Sequence, residues 1–444
     1  MKRNILKIAV PVLCAAVLFT GCGVARSVSG GTAQDLSVNA PTAEQTAYRI
    51  DEIADAAVTE AAETDPPTTG AEETADLFSE RDLSAEYDDE TVTVSLTGSG
   101  AAADSDKVSV TGSTVTVTGS GTYLISGTLD NGSIVVDAGK EDKVQLVLNG
   151  VSIRSDSYAA IYVKQADKVF ITSAEGTDNT LSNGGSFTQL DDSSVDAVIF
   201  AKDDVTFNGA GSLTINSPAG HGVVGKDEVT VTGGVYTVTS AKCAIRANDS
   251  IAIADGAFTL TAGTDGLHAE NDEDDTQGNI HIAGGTFTIK ANDDAVHANS
   301  LLRIDGGSFE ITGAEGLEAT YIRINGGDIS IGASDDGVNA VRKSSAYTPA
   351  VEITGGSLTV VMGAGDTDGV DSNGNLIISG GTVNVTGQSA FDYDGTATFT
   401  GGTVIVNGQQ VDSIPDQMMG GGMPGGMQGG MPGVMPGGGR GRNG

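Results

Sequence analysis

The chain has 444 residues with 23 Lys+Arg against 59 Asp+Glu, a formal net charge of −36, which excludes nucleic acid or anionic lipid held by bare electrostatics. Glycine is abundant (64), aromatics are scarce and tryptophan is absent; a large aromatic-lined cofactor pocket and a carbohydrate module built on a tryptophan platform are both excluded. Three cysteines, Cys14, Cys22 and Cys243, provide neither a disulfide framework nor a zinc site of the usual kind.

The N-terminus reads as an export signal. Lys2, Arg3 and Lys7 make a basic start, residues 8–20 are mostly apolar, and Gly21 precedes Cys22. The apolar run is short for a membrane span. Residues 18–22, LFTGC, resemble a bacterial lipoprotein box, departing from it at Phe19, where leucine is commoner. The expectation is a lipoprotein signal over 1–22, lipidation at Cys22, and an extracellular, cell-surface protein that meets the membrane only through that lipid. A plain secretory signal with an incidental cysteine is the alternative. Residues 23–85, rich in Ala, Thr, Glu, Asp and Ser around Pro66-Pro67, bury too little apolar surface to offset chain entropy and read as a flexible acidic linker.

From 86 to 412 the chain repeats itself. Residues 105–165 are strand-rich and are expected to cap the N-terminal end. Seven later segments carry a glycine turn between alternating apolar residues: VTVTGGVYTV (229–238), IAIADGAFTL (251–260), IHIAGGTFTI (280–289), LRIDGGSFEI (302–311), IRINGGDISI (322–331), VEITGGSLTV (351–360) and LIISGGTVNV (376–385). Alternation of this kind marks strands with one buried face. Between and after them come GTDGLHA (263–269), NDDAVHA (292–298), GAEGLEA (313–319), SDDGVNA (334–340), DTDGVDS (366–372) and GQSAFDY (387–393), which align without gaps. The basic spacing is 21 residues, and insertions at 271–278 and 342–349 account for most of the two longer steps. Short strands, glycine turns and no helical pattern predict an all-β chain, a single-stranded right-handed parallel β-helix (solenoid) of roughly a dozen rungs stacked about 4.8 Å apart. Residues 413–444, low-complexity Gly/Met/Pro, are expected to be a disordered tail.

In such a stack, equivalent positions form columns. Position five of the second motif (Leu267, Val296, Leu317, Val338, Val370, Phe391) is apolar and therefore inward. Position six should then point outward; it runs Phe200, Val224, Arg246, His268, His297, Glu318, Asn339, Asp371 and Asp392. Position three runs Asp265, Asp294, Glu315, Asp336 and Asp368, with Asp293, Asp335 and Asp366 beside it. Carboxylates stacked about 5 Å apart repel one another, so the ladder is either fully solvated or holds cations. An oxygen-rich set with Asn339 suits Ca²⁺. A second outward column, His281, Arg303, Arg323 and Glu352, places guanidinium groups where sugar carboxylates could be held bidentately, or simply forms a solvated stripe. Arg246, His268 and His297 join Arg303 and Arg323 as candidate carbohydrate contacts. Cys243, at position three of an earlier rung, reads as a small tolerated side chain.

The stretches GTYLISGTLDNGSIVVDAGKEDKVQLVLNGVSI (121–153) and ADKVFITSAEGTDNTLSNG (166–184), followed by the Asp-Gly rungs, resemble the carbohydrate-binding β-helix family of clostridial surface proteins over roughly residues 86–412. The resemblance implies a polysaccharide-lyase-like fold, calcium in the coils, and binding of cellulose or polygalacturonate-type polymers without established catalysis. The Asp/Glu column carries over as candidate metal ligands, and Ser389, replacing the acid in the last copy, should end it.

Three functions follow as expectations. The first is a lipid-anchored, calcium-binding monomer that binds plant cell-wall polysaccharide. The second is a calcium-dependent lyase acting on uronates, for which Arg246, Lys290, Lys343 or neutral His268 are base candidates without a distinctive motif. The third is a structural surface protein or adhesin whose rungs use calcium only for rigidity.

Overall fold

The computed structural model describes residues 77–87, 90–189, 193–364 and 367–415, all within the second of two compact units, 70–444. The signal over 1–22 with Cys22, the linker as far as 76, Asp366 and the tail from 416 lie outside the described residues. Among the described residues there are 36 strands and no helix, joined in one sheet in which all but three pairings are parallel. Strands pair chiefly with the strand three further along the chain, so each repeat contributes three successive strands and each is hydrogen-bonded to its counterpart in the next repeat.

The register explains why the repeat is so regular. Phe258, Phe287, Phe309, Ile329, Leu358, Val383 and Val404 are successive partners, all buried. Alternation puts every second side chain of these strands inward, and the inward ones repeat at the same height. The rings of Phe258, Phe287 and Phe309 consequently stack at 4.7 and 4.5 Å. Turn geometry is set by the second glycine of each pair, which takes positive φ at Gly285 (109°), Gly307 (102°) and Gly327 (93°), a conformation that a Cβ resists. The Asp-Gly glycines answer a different need. A Cβ on Gly337 would lie 2.3 Å from Val360 and 2.5 Å from the Gly369 carbonyl oxygen, so position four is small because the next repeat presses against it.

Both ends of the parallel array turn back on themselves. Val92–Gly98 pairs antiparallel with Ala101–Ala103, Val108–Thr111 with Thr114–Val117, and Thr403–Val406 with Gln409–Val411. Ile414 is buried in the core beyond the last of these, so the ordered chain runs past 412.

The linker expectation fails at its C-terminal end. Residues 77–85 lie against the sheet instead of hanging free. Asp82 is 3% exposed; it receives Lys168 Nζ at 2.8 Å and the Thr206 hydroxyl at 2.6 Å. Its carbonyl oxygen accepts from Thr232 at 2.6 Å, while Arg81 stacks over the Phe170 ring and donates to Gln145. Composition concealed this because the anchors are polar, and their partners lie 64 to 150 residues away.

Candidate functional site

The position-six column is a real column. Arg246, His268, His297, Glu318, Asn339 and Asp371 are successive Cα partners. Position three is built the same way, with Asp294 opposite Glu315 and Asp368 opposite Ser389. The inward expectation for position five holds, since all six of its side chains are buried in the main core.

Pointing outward does not leave position six exposed. The column faces away from the core, yet His268, His297, Glu318 and Asn339 are each no more than 9% exposed. Upstream, Phe200 and Val224 are buried in a second apolar cluster with Tyr158, Tyr162 and Val195. Downstream the insertions provide contacts. Lys343 reaches Glu318 at 2.9 Å, the Ser344 hydroxyl donates to the Asp275 carbonyl, and the Ser345 N–H donates to the Asp275 carboxylate at 3.0 Å. The two insertions, about 70 residues apart in sequence, therefore meet. Single-strand periodicity carries no trace of such a contact.

Three chemically different stretches follow one another along this ladder. At its N-terminal end Cys243 Sγ lies 3.4 Å from Asp265 Oδ2, which in turn lies 2.8 Å from His268 Nδ1. The other ring nitrogen of His268 is 3.1 Å from Glu270, and Arg246 pairs with the same carboxylate at 3.4 Å. Burial pushes the Cys243 thiol up to about 12, with the Asp265 charge adding to the shift. Burial alone would raise Asp265, but the hydrogen bond from His268 brings it below its ordinary value.

In the middle, His297 Nδ1 sits 2.7 Å from both Asp294 and Glu318. Burial alone would lower its pKa, but the two carboxylates push it up to about 10. Burial would likewise raise Glu318, yet the His297 hydrogen bond and Lys343 hold it near about 2. This stretch neutralises itself with side chains already present.

The C-terminal stretch does not. Burial and neighbouring acids push Glu315 up to about 8, Asp336 to about 6 and Asp371 to about 7. Asn339 donates to Glu315 at 3.0 Å, leaving its own oxygen buried without a hydrogen-bond partner among the described residues. The Thr367 and Ser389 hydroxyls are orphaned in the same way. Among the described residues, ligand atoms converge to within 4.8 Å in two groups only, Cys243–Asp265–His268 and Asp294–His297–Glu318; Glu315, Asp336, Asp368 and Asp371 form no such group. Asp293 and Asp335 are exposed beside the ladder.

The arginine stripe lies on another face. His281, Arg303, Arg323 and Glu352 are successive partners. Arg303 Nε pairs with Asp305 at 2.9 Å and Arg323 Nε with Glu352 at 3.4 Å. Asp305 also binds His281 at 2.7 Å and Asn325 at 2.6 Å. The fold thus brings Arg246 and the two histidines to the ladder and keeps Arg303 and Arg323 apart from it.

The chain is 41% identical over 120 residues to a carbohydrate-binding domain-containing protein of Acetivibrio thermocellus, an alignment spanning 27% of this chain and 42% of that protein. Among solved structures it is similar to the polysaccharide lyase-like protein from C. thermocellum, in a gadolinium derivative, at 28% identity and a TM-score of 0.45, over 69% of this chain and 99% of that one. Residues 111–363, more than half of the sequence, match the family described as carbohydrate-binding domain-containing protein, and the chain belongs to that family.

Proposed function

We propose that residues 92–411 form a right-handed parallel β-helix that binds acidic plant cell-wall polysaccharide with calcium held at the C-terminal end of the ladder. Family membership supports the carbohydrate, and the three-on strand pairing supports the coil. One observation carries the calcium: the buried, unpartnered oxygens of Asn339, Thr367 and Ser389 share a corner with Glu315, Asp336, Asp368 and Asp371. All seven are hard oxygen donors of the kind Ca²⁺ takes in flexible geometry, and they are spread over four successive repeats, so ions would sit between repeats and not in one shell. An orphaned buried oxygen costs about 1–3 kcal/mol, and a divalent ion removes that cost together with the carboxylate repulsion.

For a polymer of uronates, the obstacle is the protein's own charge of −36. A cation at the ladder reverses the local sign, and Arg323, 29% exposed at its side chain, offers a further positive contact. Lipidation of Cys22 would hold the module outside the cell membrane. His297 takes no part in bridging, because Asp294 and Glu318 already saturate it.

The test is retention of the full chain on insoluble polygalacturonate in calcium and in chelator, with ultraviolet absorbance recorded throughout. Retention in calcium, loss in chelator and flat absorbance are expected. Rising absorbance would show elimination and make the protein a lyase. Equal retention in both conditions would remove calcium from the reading.

A further inference from the structure

The N-terminal end of the ladder differs from the rest in kind. From Asp294 to Asp371 the column offers oxygen and a histidine whose Nδ1 is already committed to two carboxylates. One repeat earlier the fold puts a sulfur, a carboxylate oxygen and an imidazole nitrogen side by side: Cys243 Sγ, Asp265 Oδ2 and His268 Nδ1, all within 4.8 Å of one another. They come from two successive repeats, with Arg246 and His268 as register partners, so the rigid sheet holds them.

The surroundings are those of a built site. His268 has its second ring nitrogen on Glu270 at 3.1 Å, which fixes the ring and aims Nδ1 at Asp265 and the sulfur. Carboxylate behind a ligating imidazole is the recurring outer-shell arrangement of metal-bound histidines. Glu270 is itself held by Arg246 at 3.4 Å. The cysteine is fixed too, since its N–H donates to His221 Nδ1 at 3.2 Å. Unlike its neighbour one repeat on, this group has no lysine on its carboxylate; Lys343 reaches Glu318, two repeats away.

We propose that Cys243, Asp265 and His268 form a site for a thiophilic divalent cation of the zinc class, distinct from the calcium end of the ladder. Sulfur and imidazole select borderline-soft metals over calcium, and three protein ligands leave a fourth tetrahedral position for water or a sugar oxygen. The thiol releases its proton to solvent as the sulfur binds. Sequence spacing pointed away from such a site because a lone cysteine makes no motif; only the register brings it beside an acid and a histidine. The inference does not rest on the calcium reading.

Cobalt(II) is the probe, because a thiolate ligand gives it an intense near-ultraviolet charge-transfer band that oxygen ligands do not. The full chain, stripped of metal, is titrated with Co²⁺ in the presence of excess Ca²⁺. The band is expected to saturate at one equivalent, to be abolished in Cys243→Ser, and to be bleached by Zn²⁺. Glu270→Gln leaves all three ligands in place and is expected to weaken Co²⁺ binding by about 10- to 100-fold, which keeps the test decisive if Cys243→Ser fails to fold. No thiolate band, a band equally strong in Cys243→Ser (and so from Cys14 or Cys22), or displacement by Ca²⁺ would overturn the proposal. Calcium-dependent polysaccharide retention, read in the same samples, reports separately on the other end of the ladder.

Discussion

His268 and His297 stack ring on ring, 4.5 Å between centroids and 13° from parallel, yet they belong to different chemistry. His297 is closed between Asp294 and Glu318, whereas His268 stands between Asp265 beside a thiol and Glu270 beside a guanidinium. A sheet that repeats its backbone every rung can therefore change its ligand set from one rung to the next.

Removing one charge from the C-terminal end of the ladder, where calcium is proposed, should have opposite effects with and without metal. Burial and the surrounding acids raise Asp371 to about 7. Asp371→Asn is expected to stabilise the chelated protein by about 1–2 kcal/mol, through relief of like-charge repulsion, and, on the proposed calcium binding, to show a smaller rise in midpoint on adding Ca²⁺ than the parent. Thermal midpoints in chelator and in calcium decide it; a lower midpoint in chelator would contradict the repulsion argument.

The Asp-Gly turn should reject even one methyl group. Gly337→Ala places a Cβ against Val360 and the Gly369 carbonyl, and a cost of about 1–3 kcal/mol is expected from the forced shift. Urea denaturation reads it. Position four is already alanine at Ala295, so the reverse change, Ala295→Gly, should leave a small gap and cost about 1 kcal/mol.

One buried carboxylate contributes to the docking of residues 77–85. Burial would raise Asp82, but Lys168, Ser79 and Thr206 hold it below its ordinary value of 3.8. A carboxyl depressed by folding contributes stability that is fully present above its unfolded pKa and is lost as pH falls through the folded value. The segment should therefore stay docked at neutral pH and loosen below about pH 4. Asp82→Ala, which leaves the half-buried Lys168 without this partner, is expected to cost about 1–3 kcal/mol and to open residues 77–87 to proteolysis at neutral pH.

Arg323 separates the two readings of the arginine stripe. Its side chain is partly exposed and its Nε is engaged by Glu352 and Asn325. Arg323→Ala is expected to weaken retention on polygalacturonate several-fold in calcium with an unchanged denaturation midpoint. Unchanged retention with a lowered midpoint would make the stripe purely structural.

Much of this architecture was legible beforehand. The gap-free alignment that put Arg246, His268, His297, Glu318, Asn339 and Asp371 in one line is the same line the hydrogen-bond register draws, because a repeated strand pattern leaves one pairing that keeps Leu267, Val296 and Leu317 inside. Contacts outside the repeat were illegible. The meeting of Ser344 with Asp275, the anchoring of Asp82 and the company of Cys243 each join residues with no common period. The burial of position six depends in part on such contacts, as where Lys343 reaches Glu318.

The antiparallel pairs at the two ends of the array have a consequence for the protein's behaviour at high concentration. A parallel stack ends in a row of open amide and carbonyl groups that would accept another copy and grow a fibre. Here Ala101–Ala103, Val108–Thr111 and Gln409–Val411 lie across from the terminal strands with reversed direction, and each is three or four residues long. Where they lie, such short, wrongly directed edges offer a second copy no matching template, whereas Ser389–Tyr393 and Ala397–Phe399 pair only with the preceding repeat. At the C-terminal end the strands left without such a cap are short, five residues at Ser389–Tyr393 and three at Ala397–Phe399, which keeps the template a second copy could use small.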